Sequence, residues 1–279
     1  MNDALRPSRL DAEQAWASRV RANREQVDRM REVPDGADFY APVAQSFRPS
    51  PHPADDLTTE RLTALVRPDD VVLDIGAGGG RYALPLARVV RQVIALDPSE
   101  GMHAVLAHGV AERGLANVHP IVARWPMADA APTADVALIA HVGYDVEAIG
   151  PFLDAMEAAA TRLCVAVLLD RPPPFAFDDL WPAVHGEPRA SLPALPEFLT
   201  LLLARDRLPE LRLLPRTPFT YETSDHLLAQ ARRLLWVLPD GDKDRRLQAL
   251  LRSQAGEQQG SLTATLRGAR VGVLSWEPR

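Results

Sequence analysis

Asp74, Gly76, Gly78, Gly80 and Asp97 are the residues of this chain whose types and spacing most directly imply chemistry. The first four form Asp-x-Gly-x-Gly-x-Gly at the end of the apolar run Val71, Val72, Leu73. An apolar run ending in an acid reads as a buried strand, and alternate glycines let the backbone turn sharply against a ligand. Asp97 ends a second apolar run nineteen residues past Gly78, where an acid can accept hydrogen bonds from ribose hydroxyls. The pattern describes a site for a nucleoside-bearing ligand.

Two cofactor classes compete for it. Gly78-Gly79-Gly80-Arg81-Tyr82-Ala83 also satisfies the Gly-x-Gly-x-x-Ala pattern of NAD(P)-dependent Rossmann enzymes. A pyrophosphate, however, needs its glycines directly after the strand at a helix N-terminus, where amides and the helix dipole favour anions. Here Asp74 comes first, and a carboxylate suits a cation. Asp97-Pro98-Ser99-Glu100-Gly101-Met102 adds an Asp-x-Ser-x-x-Met run. On these residues the chain resembles the class I S-adenosylmethionine-dependent methyltransferases, whose cofactor carries a sulfonium and an ammonium but no phosphate.

The resemblance implies that Gly76, Gly78 and Gly80 let the loop lie against S-adenosyl-L-methionine. It implies that Asp74 supports the methionine ammonium, that Asp97 and Pro98 sit at the ribose, and that Met102 packs on the adenine. Many relatives place an acid after the third strand to receive the adenine amino group. Here the stretch is Val122-Ala123-Arg124-Trp125-Pro126, so the expectation passes to the backbone of Arg124 and Trp125, with the indole stacking nearby or simply packing, or to Asp129 reaching back. His141 follows the fourth apolar run, Leu138-Ile139-Ala140, and is a candidate base, a group that orients the acceptor, or a residue lining the cofactor. Tyr40 and Tyr144 are further catalytic candidates, followed by Asp145, His52 and His185 on flanking segments.

Other chemistries lack their residues. No metal-ligand cluster is apparent in the spacing of Cys and His. The Asp/Asn-Pro-Pro-aromatic run of nucleic-acid amino-methyltransferases is replaced by Ala140-His141-Val142-Gly143, and the one cysteine, Cys164, lies inside an apolar strand rather than at a reactive corner. The formal charge of −6 argues against a general phosphate-binding surface. Lys243 is the only lysine among 31 basic residues, a bias of GC-rich coding sequence rather than a sign of nucleic-acid binding. The expected acceptor is a small molecule. A protein or RNA acceptor, and a non-catalytic S-adenosylmethionine-binding protein, are the alternatives. With no apolar stretch long enough to span a bilayer and no signal-peptide core, a cytoplasmic protein without membrane contact is expected.

The elements that must position these residues follow from periodicity. Asp11 to Arg31 predicts an amphipathic helix with Trp16, Val20, Val27 and Met30 on one stripe, and residues 1–56 are expected to form a helical arm and lid. Residues 57–279 predict a methyltransferase domain of alternating helices and strands, an α/β Rossmann-like fold with helices on both faces of a parallel sheet. Strands are expected near 71–74, 92–97, 118–123, 135–141, 162–170, 211–214 and 270–276. Helices are expected at 57–66, 80–90, 101–113, 146–160, 224–237 and 242–254. The resemblance implies seven strands with the last antiparallel. Residues 172–196 hold seven prolines in twenty-five residues, too many for a strand or long helix, and predict an insertion capping the substrate.

Overall fold

The computed structural model describes residues 7–34, 56–129, 131–173, 175–215, 223–254 and 270–279. Seven strands, β1 (Val71–Ile75), β2 (Gln92–Asp97), β3 (Val118–Val122), β4 (Ala134–Ala140), β5 (Ala160–Leu169), β6 (Glu210–Pro215) and β7 (Arg270–Trp276), form one sheet in the order β3-β2-β1-β4-β5-β7-β6. All pairings from β3 to β5 are parallel, while β7 runs antiparallel to both β5 and β6. This is the Rossmann-like α/β sheet that the sequence implies, with its reversed last strand. Register does the positioning: Ile75 pairs with Leu96 on one side and Ile139 on the other. The acids and the histidine that end or follow β1, β2 and β4 therefore reach one carboxyl edge, where open α/β sheets bind ligands.

Each face of the sheet buries its own layer because successive side chains point to opposite sides. One face carries Leu73, Ile75 and Ile139 against α5 (Ile149–Ala159), α8 (Leu195–Ala204) and α1 (Arg9–Met30), with Trp16, Phe152, Phe198 and Trp276 in a single cluster. The other carries Val72, Val93, Val136 and Leu138 against Leu62 of α2 (Leu57–Leu65), Leu84 and Leu86 of α3 (Ala83–Leu86) and Leu106 of α4 (Glu100–Glu112). Among the described residues, no helix is long and apolar enough to cross a membrane.

Helix α1 is fastened along its length. The Trp16 indole donates to the Val146 carbonyl at 2.9 Å, the Asn23 amide donates to the Ala190 carbonyl at 2.6 Å, and the Gln26 amide exchanges hydrogen bonds with Pro188 and Ala190. Buried amides bonded to loop backbone in this way fix the segment they hold. Its described part is thus a packing element, while Tyr40 and the rest of the expected lid lie outside the described residues.

Three departures from the sequence expectations have physical causes. The helix expected over residues 80–90 contracts to α3: Pro85 has no N–H to bond back to Arg81, which disfavours an earlier start, and beyond Leu86 the chain closes three-residue turns, Arg88 N–H to Pro85 and Val89 N–H to Leu86. The described part of residues 172–196 holds no strand or long helix, only the short α6 (Phe175–Asp178) and α7 (Trp181–His185), but it also contains the start of α8, a helix absent from the expected elements. In α8 a proline within the first two positions is favourable, because its missing N–H would be unpaired there, and the Glu197 carboxylate accepts the Ala194 N–H at 2.9 Å. The third is a separate core. Phe177, Leu180, Trp181 and Val184 pack with Leu227, Ala231, Leu235 and Leu247 of α9 (Ser224–Leu234), α10 (Asp242–Gln254) and their junction, joined by Val27 and Met30 from α1. Arg232 binds Asp244 bidentately, both contacts 2.7 Å, and locks α9 to α10.

Candidate active site

The glycine loop leaves β1 with backbone angles that L residues rarely adopt: φ is +76° at Gly76, +54° at Gly78 and +88° at Gly80. The three glycines serve different ends. A Cβ on Gly76 would lie 2.5 Å from Val142 Cγ2, and one on Gly80 would lie 2.5 Å from Leu106 Cδ1, so both are small because packed side chains press on them. At Gly78 a Cβ would meet only the Met102 sulfur, 3.9 Å away. That is the open side of the loop, where a ligand can approach the backbone.

Asp97 is fixed by backbone donors. The Gly78 N–H donates to Oδ2 and the Ser99 N–H to Oδ1, both at 2.9 Å. Each carboxylate oxygen retains acceptor capacity for a diol. Ser99 in turn accepts from the Met102 N–H and caps α4, which places Met102, 3% exposed, beside Gly78. Pro98 is exposed next to it.

Asp74 behaves differently. It is 1% exposed, and its Oδ1 has no hydrogen-bond partner among the described residues. Burial, and secondarily the charge on Asp97, push its carboxyl up to about 7. A buried carboxylate in this state favours an incoming cation, and the sulfonium and ammonium of S-adenosylmethionine supply that charge. An orphaned acid, a clear approach at Gly78 and a diol acceptor at Asp97 fit that cofactor. A dinucleotide pyrophosphate would instead meet two carboxylates.

His141 directly follows β4 in the left-handed conformation, φ +59°, with its N–H donating to the Val167 carbonyl at 2.8 Å. Its Nε2 lies 3.3 Å from the Tyr82 hydroxyl. A non-glycine residue in this region is a strained position of the kind that clusters at functional sites. Sequence spacing does not single out Tyr82, because it occupies an unspecified position of the glycine pattern; only the turn after Gly80 brings it across to β4.

Other expected residues have partners or surroundings of their own. The Trp125 indole is buried in the core and donates to the Phe152 carbonyl at 3.2 Å, a packing contact, while Arg124 and Asp129 are exposed. The Tyr144 hydroxyl accepts the Leu169 N–H at 2.7 Å and is buried, tying the segment after β4 to the end of β5. Asp145 is exposed, His185 sits in the third core, and Tyr40 and His52 fall outside the described residues. Cys164 is fully buried in β5, and burial pushes its thiol up to about 12, so it is no nucleophile.

Residues 72–161 match the family described as "Methyltransferase domain". The matched segment contains the glycine loop, Asp97 and His141, so this part of the chain is similar to methyltransferase domains. Among solved structures, the fold is similar to a methyltransferase of Geobacter sulfurreducens in complex with S-adenosyl-L-homocysteine, at 18% identity and TM-score 0.55, covering 90% of this chain and 100% of that one. It is equally similar to one from Thiobacillus denitrificans with the same ligand, at 17% identity and TM-score 0.55, covering 88% and 99%. Likeness at such identities establishes the fold. Among curated proteins, an uncharacterized protein of Haemophilus influenzae is 42% identical over 74 residues, 26% of this chain and 28% of that protein. The 23S rRNA (uracil(1939)-C(5))-methyltransferase RlmD of Xanthomonas euvesicatoria is 43% identical over 51 residues, 18% and 12% of the two. The chain thus spans less than a third of the length of these curated relatives.

Proposed function

We propose that this protein binds S-adenosylmethionine through Asp74, Gly78, Asp97 and Met102 and transfers its methyl group to a small-molecule acceptor. The observation that carries the reading is the buried Asp74 carboxylate, unpartnered beside a glycine loop that is open at Gly78. The cofactor supplies an electrophilic methyl group that needs little activation, so the protein's own residues align the partners, exclude water and move a proton. Asp74 neutralises the cofactor's cationic end, and Asp97 holds the ribose hydroxyls with a carboxylate already oriented by Gly78 and Ser99. His141, beside Tyr82 at the same sheet edge, takes the acceptor's proton when the nucleophile is an oxygen or nitrogen.

An RNA acceptor is the second reading, favoured by the short similarity to RlmD. Methylation at a pyrimidine C5 through a covalent adduct needs a cysteine thiolate, and the chain's single cysteine is the inert Cys164. The negative formal charge further favours a small acceptor.

Asp97→Ala tests the cofactor assignment. Calorimetry should find S-adenosylmethionine affinity lowered by about 1.5–3 kcal/mol, the scale of hydrogen bonds to a charged group, in a variant that remains folded. Unchanged affinity removes Asp97 from the site. Release of S-adenosylhomocysteine, screened over hydroxyl, carboxyl and amine compounds alongside RNA, then separates the two acceptor classes.

A further inference from the structure

The third core holds a concentration of polar groups that the methyl-transfer site does not use. Among the described residues, Asp178 Oδ1, Trp181 Nε1, His185 Nδ1 and Arg189 Nη1 are all buried and all without a hydrogen-bond partner. They are neighbours. The Arg189 guanidinium lies 4.6 Å from the Trp181 ring centre, the Trp181 and His185 rings are 4.0 Å apart, and Arg189 Nη1 is 3.2 Å from Asp178 Oδ1 without the alignment of a hydrogen bond. Trp181 is 0% exposed and the Arg189 side chain 8%, whereas the Asp178 side chain keeps 15% exposure and marks the side open to solvent. Polar groups buried together are nearly always paired, with protein, with water or with a ligand.

The donor and acceptor pattern is determinate. His185 Nε2 lies 2.9 Å from the Leu235 carbonyl, which only accepts, so Nε2 carries the hydrogen. Burial pushes this imidazole down to about 4, so at neutral pH its Nδ1 is a bare acceptor. The indole and guanidinium only donate, and the Asp178 carboxylate accepts. The cluster thus offers the indole donor and the imidazole acceptor beside an Arg189–Asp178 ion pair that sums to zero charge and keeps further donor and acceptor capacity. A simple anion would be drawn to Arg189 but repelled by Asp178, and a simple cation the reverse. A neutral planar group with a donor and an acceptor on one edge satisfies both sides.

We propose that Asp178, Trp181, His185 and Arg189 form a binding site for a small molecule bearing a planar amide-type group, such as a carboxamide, lactam or urea. The site is distinct from the glycine loop and does not depend on the cofactor assignment.

The test uses three probes with one ring and different heads: benzamide, benzoate and benzamidine. In a ¹H–¹⁵N spectrum of the full chain, the Trp181 indole resonance is identified by its loss in Trp181→Phe, or by backbone assignment if that variant does not fold. Benzamide should shift this resonance saturably and bind at least about tenfold more tightly than the other two, a difference of about 1.4 kcal/mol. Asp178→Asn and Arg189→Met should each weaken benzamide while leaving S-adenosylhomocysteine binding, read by calorimetry in the same samples, unchanged. An indole resonance that benzamide does not move, as for a cluster filled by water alone, overturns the proposal. So does equal binding of benzoate, or benzamide affinity unaltered in both variants.

Discussion

Replacing Asp74 with asparagine should stabilise the ligand-free protein, and the gain should grow with pH. In the wild type the carboxyl is pushed from 3.8 up to about 7, mainly by burial. A folded-state value above the unfolded one means that the native protein binds the extra proton between about pH 4 and pH 7, so stability falls as pH rises through that window. At 1.36 kcal/mol per unit, the ionised acid costs about 4 kcal/mol above pH 7, and nothing below pH 4. The asparagine side chain keeps the volume and cannot ionise, so the stability difference between variant and wild type should climb by about 4 kcal/mol from pH 4 to pH 8. Urea unfolding of both proteins at a series of pH values measures this difference directly, and other titrating groups cancel. The same variant should lose S-adenosylmethionine affinity, because the carboxylate that destabilises the empty site is the one that receives the cationic ligand. Parallel stability curves across the pH range would refute the reasoning, since Asp74 would then ionise as freely in the folded protein as in the unfolded chain.

Gly78→Ala should weaken cofactor binding and, with φ at +54° but open space around its Cβ, should cost less stability than Gly80→Ala, which adds a 2.5 Å clash with Leu106 to its own positive φ; calorimetry and thermal melts read the two effects separately. With an acceptor in hand, His141→Asn should lower the rate of methyl transfer by about 10²-fold or more while cofactor affinity holds; wild-type turnover with an unchanged pH–rate profile would rule out a base at this position. Arg232→Met, which strips the buried Asp244 of its bidentate partner, should destabilise the α9–α10 pair by about 2–3 kcal/mol, seen as earlier hydrogen exchange in residues 224–254 than in the sheet.

The glycine loop and the seven strands were legible in the sequence because their signals are local. A buried parallel strand is a short apolar run, and Asp74 and Asp97 mark where two such runs reach the edge of the sheet. The different tasks of the glycines were not legible: Val142 and Leu106, which press on Gly76 and Gly80, come from distant parts of the chain. Position along β3 left Trp125 open between stacking and packing, because the residue it bonds, Phe152, sits on α5, far along the chain. Helix α8 was hidden by Pro193 and Pro196, which read as breakers until a proline is allowed at a helix start. The pairing of residues 177–184 with 227–247 left no trace in local pattern, since each piece is a short helix whose apolar side has meaning only against the other.

That third core is assembled from stretches far apart along the chain, yet shares none of its buried residues with the two clusters that grip the sheet. Substitutions within it can be compensated among its own helices, without disturbing Asp74, Gly78 or Asp97. Descendants of this chain can therefore remodel one end of the molecule while inheriting the glycine loop intact. The chain between Phe177 and Leu247 contains α8 and β6, both of which dock on the sheet layer. Their docking shortens the free chain that must close before these two side chains meet, so the sheet lowers the entropic cost of a core to which it contributes no buried residue.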